Sequence, residues 1–160
     1  MALSGVTFDG CSVSARDHGV LFARTMPDGI LRGCAVTFNG ASVTIAPGYL
    51  IACGRVIEVE SSTVVAVTGT QYTQIVLSIN ITQPTFTLSG VNSSSTDFPP
   101  LTQDDINDGT STTYQIEIAV VDVANNTIMR SIGASAYPIR IVNAIPTSSD
   151  KDGIYLVTEG

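Results

Sequence analysis

The residues of this chain best equipped for chemistry are few and scattered. His18 is the only histidine. Ser12, Ser14 and Asp17 stand close to it and complete the residue types of a nucleophilic triad. Groups so near one another on one helix do not converge easily, however, and a triad is defined by geometry across a fold. The ordinary reading of His18 is a capping or surface histidine. The acidic run Asp104-Asp105-Ile106-Asn107-Asp108-Gly109 is the second candidate. Registered as an EF-hand loop from Asp104, it puts Ile106 and Gln115 where oxygen-rich ligands belong. A looser oxygen site from Asp105, Asn107 and Asp108 stays open, against a solvated turn with local side-chain-to-backbone bonds as the default.

Arg55 is the third. It follows Gly54 at a strand break, and reads either as an intersubunit salt bridge, to Glu58 or the acidic run, or as an exposed arginine of little energetic weight. Glu58 and Glu60 share a strand face, but a glycosidase also needs a cleft and sugar-stacking aromatics, and the chain has no tryptophan. Zinc spacing, a P-loop and a dinucleotide motif do not occur. The residues predict no catalytic centre, no metal and no cofactor.

The elements that must position these residues are mostly strands. Gly29 to Glu60 is the densest run of strand and turn signals. Asn39-Gly40 fits a two-residue type I′ hairpin, since both central residues tolerate positive φ. That turn sets Phe38 opposite Ala41, Val36 opposite Val43 and Cys34 opposite Ile45, all on one face, with Thr37, Ser42 and Thr44 on the other. Ala46-Pro47-Gly48 makes a second turn, with Gly48 free to be left-handed. Tyr49 to Cys53 returns as a strand, Gly54 interrupts, and Val56 to Val59 continues. The pattern predicts a β-meander of three or four strands.

Around this centre, Val6 and Phe8 alternate in a short strand-like lead. Ser14 to Met26 reads as the one helix, with Ser14 as N-cap and Asp17 closing a capping box. Pro27 and Gly29 end it. Val20, Leu21, Phe22 and Met26 form its apolar stripe, and Gly19 costs it about 1 kcal/mol relative to Ala. This helix is expected across one end of the sheet or between subunits.

Thr63 to Val67 is a strand. Ile75 to Ile81 alternates with Ile75, Leu77, Ile79 and Ile81 inward, and a four-residue connection sets Ile81 against Phe86 and Ile79 against Leu88. Val91 to Thr113 is the longest irregular stretch, a length usual for functional or subunit-contacting loops. Tyr114 to Val123 is a long strand whose parity breaks after Val120, a bulge or burial on both faces. Ile128 to Ile132 follows. The domain reading is a β-rich docking domain over residues 1–133, then a linker and short C-terminal strand over 134–160. Ile154, Tyr155 and Leu156 lie in that strand, which adds to the sheet or pairs with a neighbouring chain.

Composition bounds the function. Charged residues are 13 % of the chain, about half the usual share, with a single lysine, Lys151. So few charges suggest a surface largely covered by copies of itself or by neighbours. A net charge of −7 argues against nucleic acid and against anionic membranes. No run is long enough to span a bilayer, and the N-terminus does not read as a signal peptide. The three cysteines, Cys11, Cys34 and Cys53, have no CxxC pairing, and the last two sit in strand patterns as small buried hydrophobes. Synthesis in a reducing cytoplasm is the expectation.

Several segments together resemble structural proteins of phage tails, the baseplate and tail-fibre attachment family. They are Ser14-Ala15-Arg16-Asp17, Asp28-Gly29-Ile30-Leu31-Arg32-Gly33, Val43-Thr44-Ile45-Ala46-Pro47-Gly48, Ile51-Ala52-Cys53-Gly54-Arg55-Val56-Ile57, Gln103-Asp104-Asp105-Ile106-Asn107 and Tyr114-Gln115-Ile116-Glu117-Ile118-Ala119. The resemblance covers about residues 12–123, and its motifs are turns and strands. It implies a non-enzymatic virion protein, made in the host bacterial cytoplasm. Such a protein docks to other tail or capsid proteins, commonly as a homotrimer. The fold class expected is mainly β, an antiparallel sandwich or barrel-like meander with one short N-terminal helix. Leu21, Phe22, Arg55, Ile154, Tyr155 and Leu156 are the expected interface residues. The alternatives are a β module that binds carbohydrate or a host surface, for which Tyr114 and Phe98 are the available aromatics, and a capsid decoration or head-fibre protein. A wall-degrading tail hydrolase is a further reading, with no residue to recommend it.

Overall fold

The computed structural model describes residues 14–135 and the backbone of two further strands, Ile139–Val142 and Ile154–Val157. The fold is mainly β, with three antiparallel sheets and one short helix near the N-terminus, arranged as a sandwich. The helix α1 spans Ala15–Thr25, capped at Ser14 by the expected box. Ser14 Oγ accepts from the Asp17 N–H, and the Asp17 carboxylate accepts from the Ser14 N–H. Two of the helix's unpaired N-terminal donors are thereby satisfied.

Gly29–Glu60 is strand-rich as expected, but it is not a meander. Strand β1 (Gly29–Gly33) pairs with β4 (Gly48–Ala52), and β4 with β5 (Arg55–Val59). Between β1 and β4 the chain leaves for a second sheet, where β2 (Val36–Phe38) pairs with β3 (Ser42–Ile45) and β3 with β6 (Thr63–Ala66). The exit is chemical: Gly33 and Cys34 both take positive φ, at 67° and 52°, and two left-handed residues in a row turn a strand out of its sheet. Gly48 is not left-handed. It is needed for close approach, since a methyl group there would meet the Cys34 N–H at 2.5 Å.

The Asn39-Gly40 turn also differs. Phe38 pairs with Val43 and Val36 with Ile45, so four residues close the hairpin, not two. The Asn39 side-chain oxygen accepts from the N–H groups of Ala41 and Ser42, an Asx turn that takes the slack. A shift of two preserves which face each side chain takes, so Val43 and Ile45 are buried as expected. The two-residue turn with both residues left-handed lies instead at Cys53-Gly54, φ 47° and 71°, between the paired Ala52 and Arg55. Both described cysteines are buried, but in turns rather than strands.

The third sheet runs in the order β10-β9-β7-β8, from β7 (Tyr72–Asn80), β8 (Thr85–Ser93), β9 (Thr113–Asp122) and β10 (Thr127–Ser131). In the β7–β8 hairpin Ile79 faces Phe86 and Leu77 faces Leu88, again two residues from the expected register. The Asn80 side chain closes it by accepting from the Thr82 and Gln83 N–H groups, as Asn39 does. Phe86, expected inward, is 54 % exposed, because β8 is an edge strand. A bulge lies in β9 before the expected parity break, where Ile75 faces Ala119 while Val76 faces Glu117 and Ile118 is left unpaired. Val120 and Val121 are both fully buried, so β9 is covered on both faces there. Ile75, Leu77, Ile79, Ile116, Ile118, Val43, Ile45 and Leu50 form the core between the sheets.

At the C-terminal side, Gly133 and Ser135 hydrogen-bond to either side of Ile30, so the chain past residue 133 still belongs to the sheet body. Strands β11 (Ile139–Val142) and β12 (Ile154–Val157) pair with each other in parallel. No helix among the described residues is long and apolar enough to cross a membrane.

Candidate functional site

The helix seat is the most elaborately built place in the molecule. Helix α1 buries its smallest residue: Gly19 is its one buried position. Its Cα lies so close to Asn107 and Arg55 that a methyl group would overlap the Asn107 Oδ1 and come 2.8 Å from the Arg55 Nε. From the other side, a methyl group on Gly54 would meet the Gly19 carbonyl and, at 2.5 Å, the Ala23 N–H. Two glycines thus let a helix backbone and a hairpin turn touch. The sequence cost assigned to Gly19 is the condition for this contact.

Asn107 is the centre of the seat and is fully buried. Its Nδ2 donates to the Cys53 carbonyl at 2.8 Å, and its Oδ1 accepts from Arg55 Nε at 2.9 Å. Arg16, from the helix, donates to the Asn107 and Asp108 carbonyls at 2.6 and 3.0 Å. Asp105 Oδ1 accepts from the Asn107 N–H at 2.8 Å and lies 3.5 Å from Cys53 Sγ. Ile106 beside it is 1 % exposed. The acidic run is the expected turn, with its aspartates exposed and local bonds from the Asn107 and Thr110 N–H groups to the Asp105 and Asp108 side chains, but its middle residues Ile106 and Asn107 are buried as a plug, and an apolar residue inside it was the available signal.

Below the plug, Asp28 ties three elements. Its Oδ1 accepts from the Cys53 N–H at 2.8 Å, and its Oδ2 accepts from the Tyr114 hydroxyl at 2.7 Å. Burial, then the hydrogen bond to Asp28, pushes the Tyr114 phenol far above its ordinary range. Burial likewise pushes the Cys53 thiol up. Both groups stay protonated near neutrality, which makes Cys53 a poor nucleophile. The cleft of about 590 Å³ over Asp28, Cys53, Asp105 and Tyr114 has a floor of groups bonded to one another. Such an arrangement is suited to holding a helix in place.

The structure disperses the other candidates. His18 is exposed, its ring 6.2 Å from that of Phe22. Asp108 accepts from the Thr110 N–H and hydroxyl, which hold its carboxyl below the usual range. With Asp105 and Asn107 engaged as described, the three oxygens of the looser calcium set serve the fold. No cluster of three metal-ligating groups occurs among the described residues. Glu58 accepts from the Tyr49 hydroxyl at 2.7 Å. Arg55 does reach the acidic run, but within its own chain and through the Asn107 amide. Leu21 is 53 % exposed and Phe22 half-buried. Ile154, Tyr155 and Leu156 pair through β12 with Ile139–Val142, and their side chains lie outside the described residues, as do Val6, Phe8, Cys11 and Ser12. Asp28, Asn107 and the Cys53-Gly54 turn were not singled out by the sequence for this role.

Comparison with protein-family models and with characterised proteins gives no match to this chain.

Proposed function

We propose that this chain is a non-enzymatic structural protein of a tailed-phage virion, assembling as a homo-oligomer in the baseplate or as a tail-fibre adaptor. One observation carries the reading beyond the sequence resemblance. The helix is clamped with its glycine inward, and two of its large apolar residues point out: Val20 is 45 % and Leu21 53 % exposed. A helix held this firmly, offering aliphatic side chains to solvent, is a built contact surface. The surface is also poor in charge: one ion pair, Arg130 with Glu117, is formed among the described residues. The mechanism is docking, in which α1 and the sheet edges are buried against symmetry mates and neighbouring tail or capsid proteins.

The test is absolute mass by light scattering at two concentrations, for the protein and for Leu21→Asp. The reading requires a defined oligomer that Leu21→Asp converts to folded monomer. A monomer at both concentrations for the unaltered protein would remove self-assembly. The glycan-binding alternative has little to support it here, because Tyr114 is half-buried and bonded to Asp28.

A further inference from the structure

The four-stranded sheet ends one strand short over part of the core. Strand β8 is its edge, with ladder bonds to β7 alone among the described residues. Phe86 and Leu88 lie opposite Ile79 and Leu77, so all four side chains take the core side of the sheet. Ile79 and Leu77 are 2 % and 4 % exposed, whereas Phe86 is 54 % exposed. A ring on the core side is left this open because no described strand lies beyond it.

Facing Phe86 across a groove of about 320 Å³ is β5, itself the edge of the β1-β4-β5 sheet, with the connection that leads on to Thr63. Buried side chains, Ile45, Leu50, Leu77 and Ile118, floor this groove. Two strand edges thus border one apolar cleft. Strand β8 carries no charged residue and no proline over its nine residues. Natural sheets normally guard an edge with such residues, so an unguarded one is a template for a further strand. A small apolar molecule would fill the cleft but leave the main-chain donors and acceptors of β8 unmatched; another backbone satisfies both.

Charge on the banks selects the kind of backbone. Glu58 and Glu60 line the β5 side, and among the described residues neither lysine nor arginine lines the groove. The Glu58 carboxylate accepts from the Tyr49 hydroxyl, and Glu60 is exposed. The chain as a whole carries −7. A second copy would bring the same negative charge to an acidic rim, whereas basic side chains complement it.

We propose that the groove between β5 and β8 receives an extended segment of another protein, apolar at alternate positions and basic at its flanks, which adds as a strand to β8. Its main chain bonds to the open edge, its apolar side chains cover Phe86 and the floor, and its cations meet Glu58 and Glu60. This inference stands apart from the virion reading and from the self-assembly that light scattering tests.

Two blocked synthetic peptides test it on the full chain. Both alternate valine with serine; one carries lysine at each end and the other glutamate. Binding is read by titration calorimetry and by hydrogen exchange at low salt, where charge pairing is least screened. The lysine peptide should slow exchange of those amides in residues 85–89 that point away from β7, and bind about tenfold more tightly than the glutamate peptide. Glu60→Lys, at an exposed position, should erase or reverse that preference and leave exchange in β7 and β9 unchanged. Phe86→Ser should weaken the lysine peptide about tenfold and keep the preference. Equal affinity for the two peptides, or no protection of β8 at about 1 mM lysine peptide, would overturn the proposal. Protection of β8 in the protein alone that is lost on dilution would overturn it too, since the occupant would then be a second copy.

Discussion

Asn107 shows what one amide can hold. It joins the Cys53 carbonyl to the Arg55 guanidinium in a site without solvent, while its own carbonyl receives Arg16. Asn107→Ala leaves a buried acceptor and a charged donor unsatisfied, which costs about 2–3 kcal/mol. The expected result is a melting midpoint lower by about 5–10 °C in thermal unfolding. The thiols make a second prediction at this scale. Cys34 is 1 % exposed, and burial pushes its pKa up. In a Cys11→Ser background, Cys34 and Cys53 should resist thiol reagents in the native state and react freely in denaturant. Fast native labelling would show that the seat opens. Asn107 stood in the sequence as one ligand of a loose ion site; its burial follows from contacts with residues far away in the chain, which no local pattern displays.

For the helix, propensity and packing pull in opposite directions. Gly19→Ala would strengthen an isolated helix by about 1 kcal/mol. In the seat, its methyl group overlaps Asn107 Oδ1 and presses on Arg55. Overpacking against a fixed polar centre costs about 1–3 kcal/mol, so the net change is destabilising. Faster amide exchange across Ala15–Thr25, with β7 and β9 unchanged, is the expected signature, and greater helix protection would disprove the close approach. Hairpins teach the complementary lesson. Side-chain parity around Asn39 and Asn80 was legible, because a two-residue shift preserves it. The register itself depended on Asx turns, which reorganise the loop without altering the alternation.

At the scale of the whole molecule, acid is the informative perturbation. Burial alone would raise the Glu117 pKa, but hydrogen bonds from Arg130 and Gln74 with the Arg130 charge outweigh it and hold the carboxyl below its ordinary 4.5. Asp17 is lowered first by its Ser14 hydrogen bonds, and Asp122 first by those from Asn125. A carboxylate lowered on folding contributes stability that is present above its unfolded pKa and lost as pH falls through the folded one. Stability should therefore be level near neutrality and decline as pH drops below about 4.5. Glu117→Gln should flatten part of that decline in urea titrations at stepped pH. The same few charges set the expectation of a covered surface, with mass in solution as its measurement.

The sequence by itself determined the class of fold, the capped helix and the alternation that selects core faces. These are local matters, written in residue period and capping chemistry over a few neighbours. Only the tertiary structure decided which strands share a sheet, since the left-handed pair Gly33-Cys34 sends β2 away and lets β1 meet β4. It alone made a plug of the middle of the acidic run, because the desolvation of Asn107 and Ile106 depends on a helix and a hairpin brought together from about 50 to 90 residues away. Periodicity encodes which face of an element is buried; it carries no record of what will be buried against it.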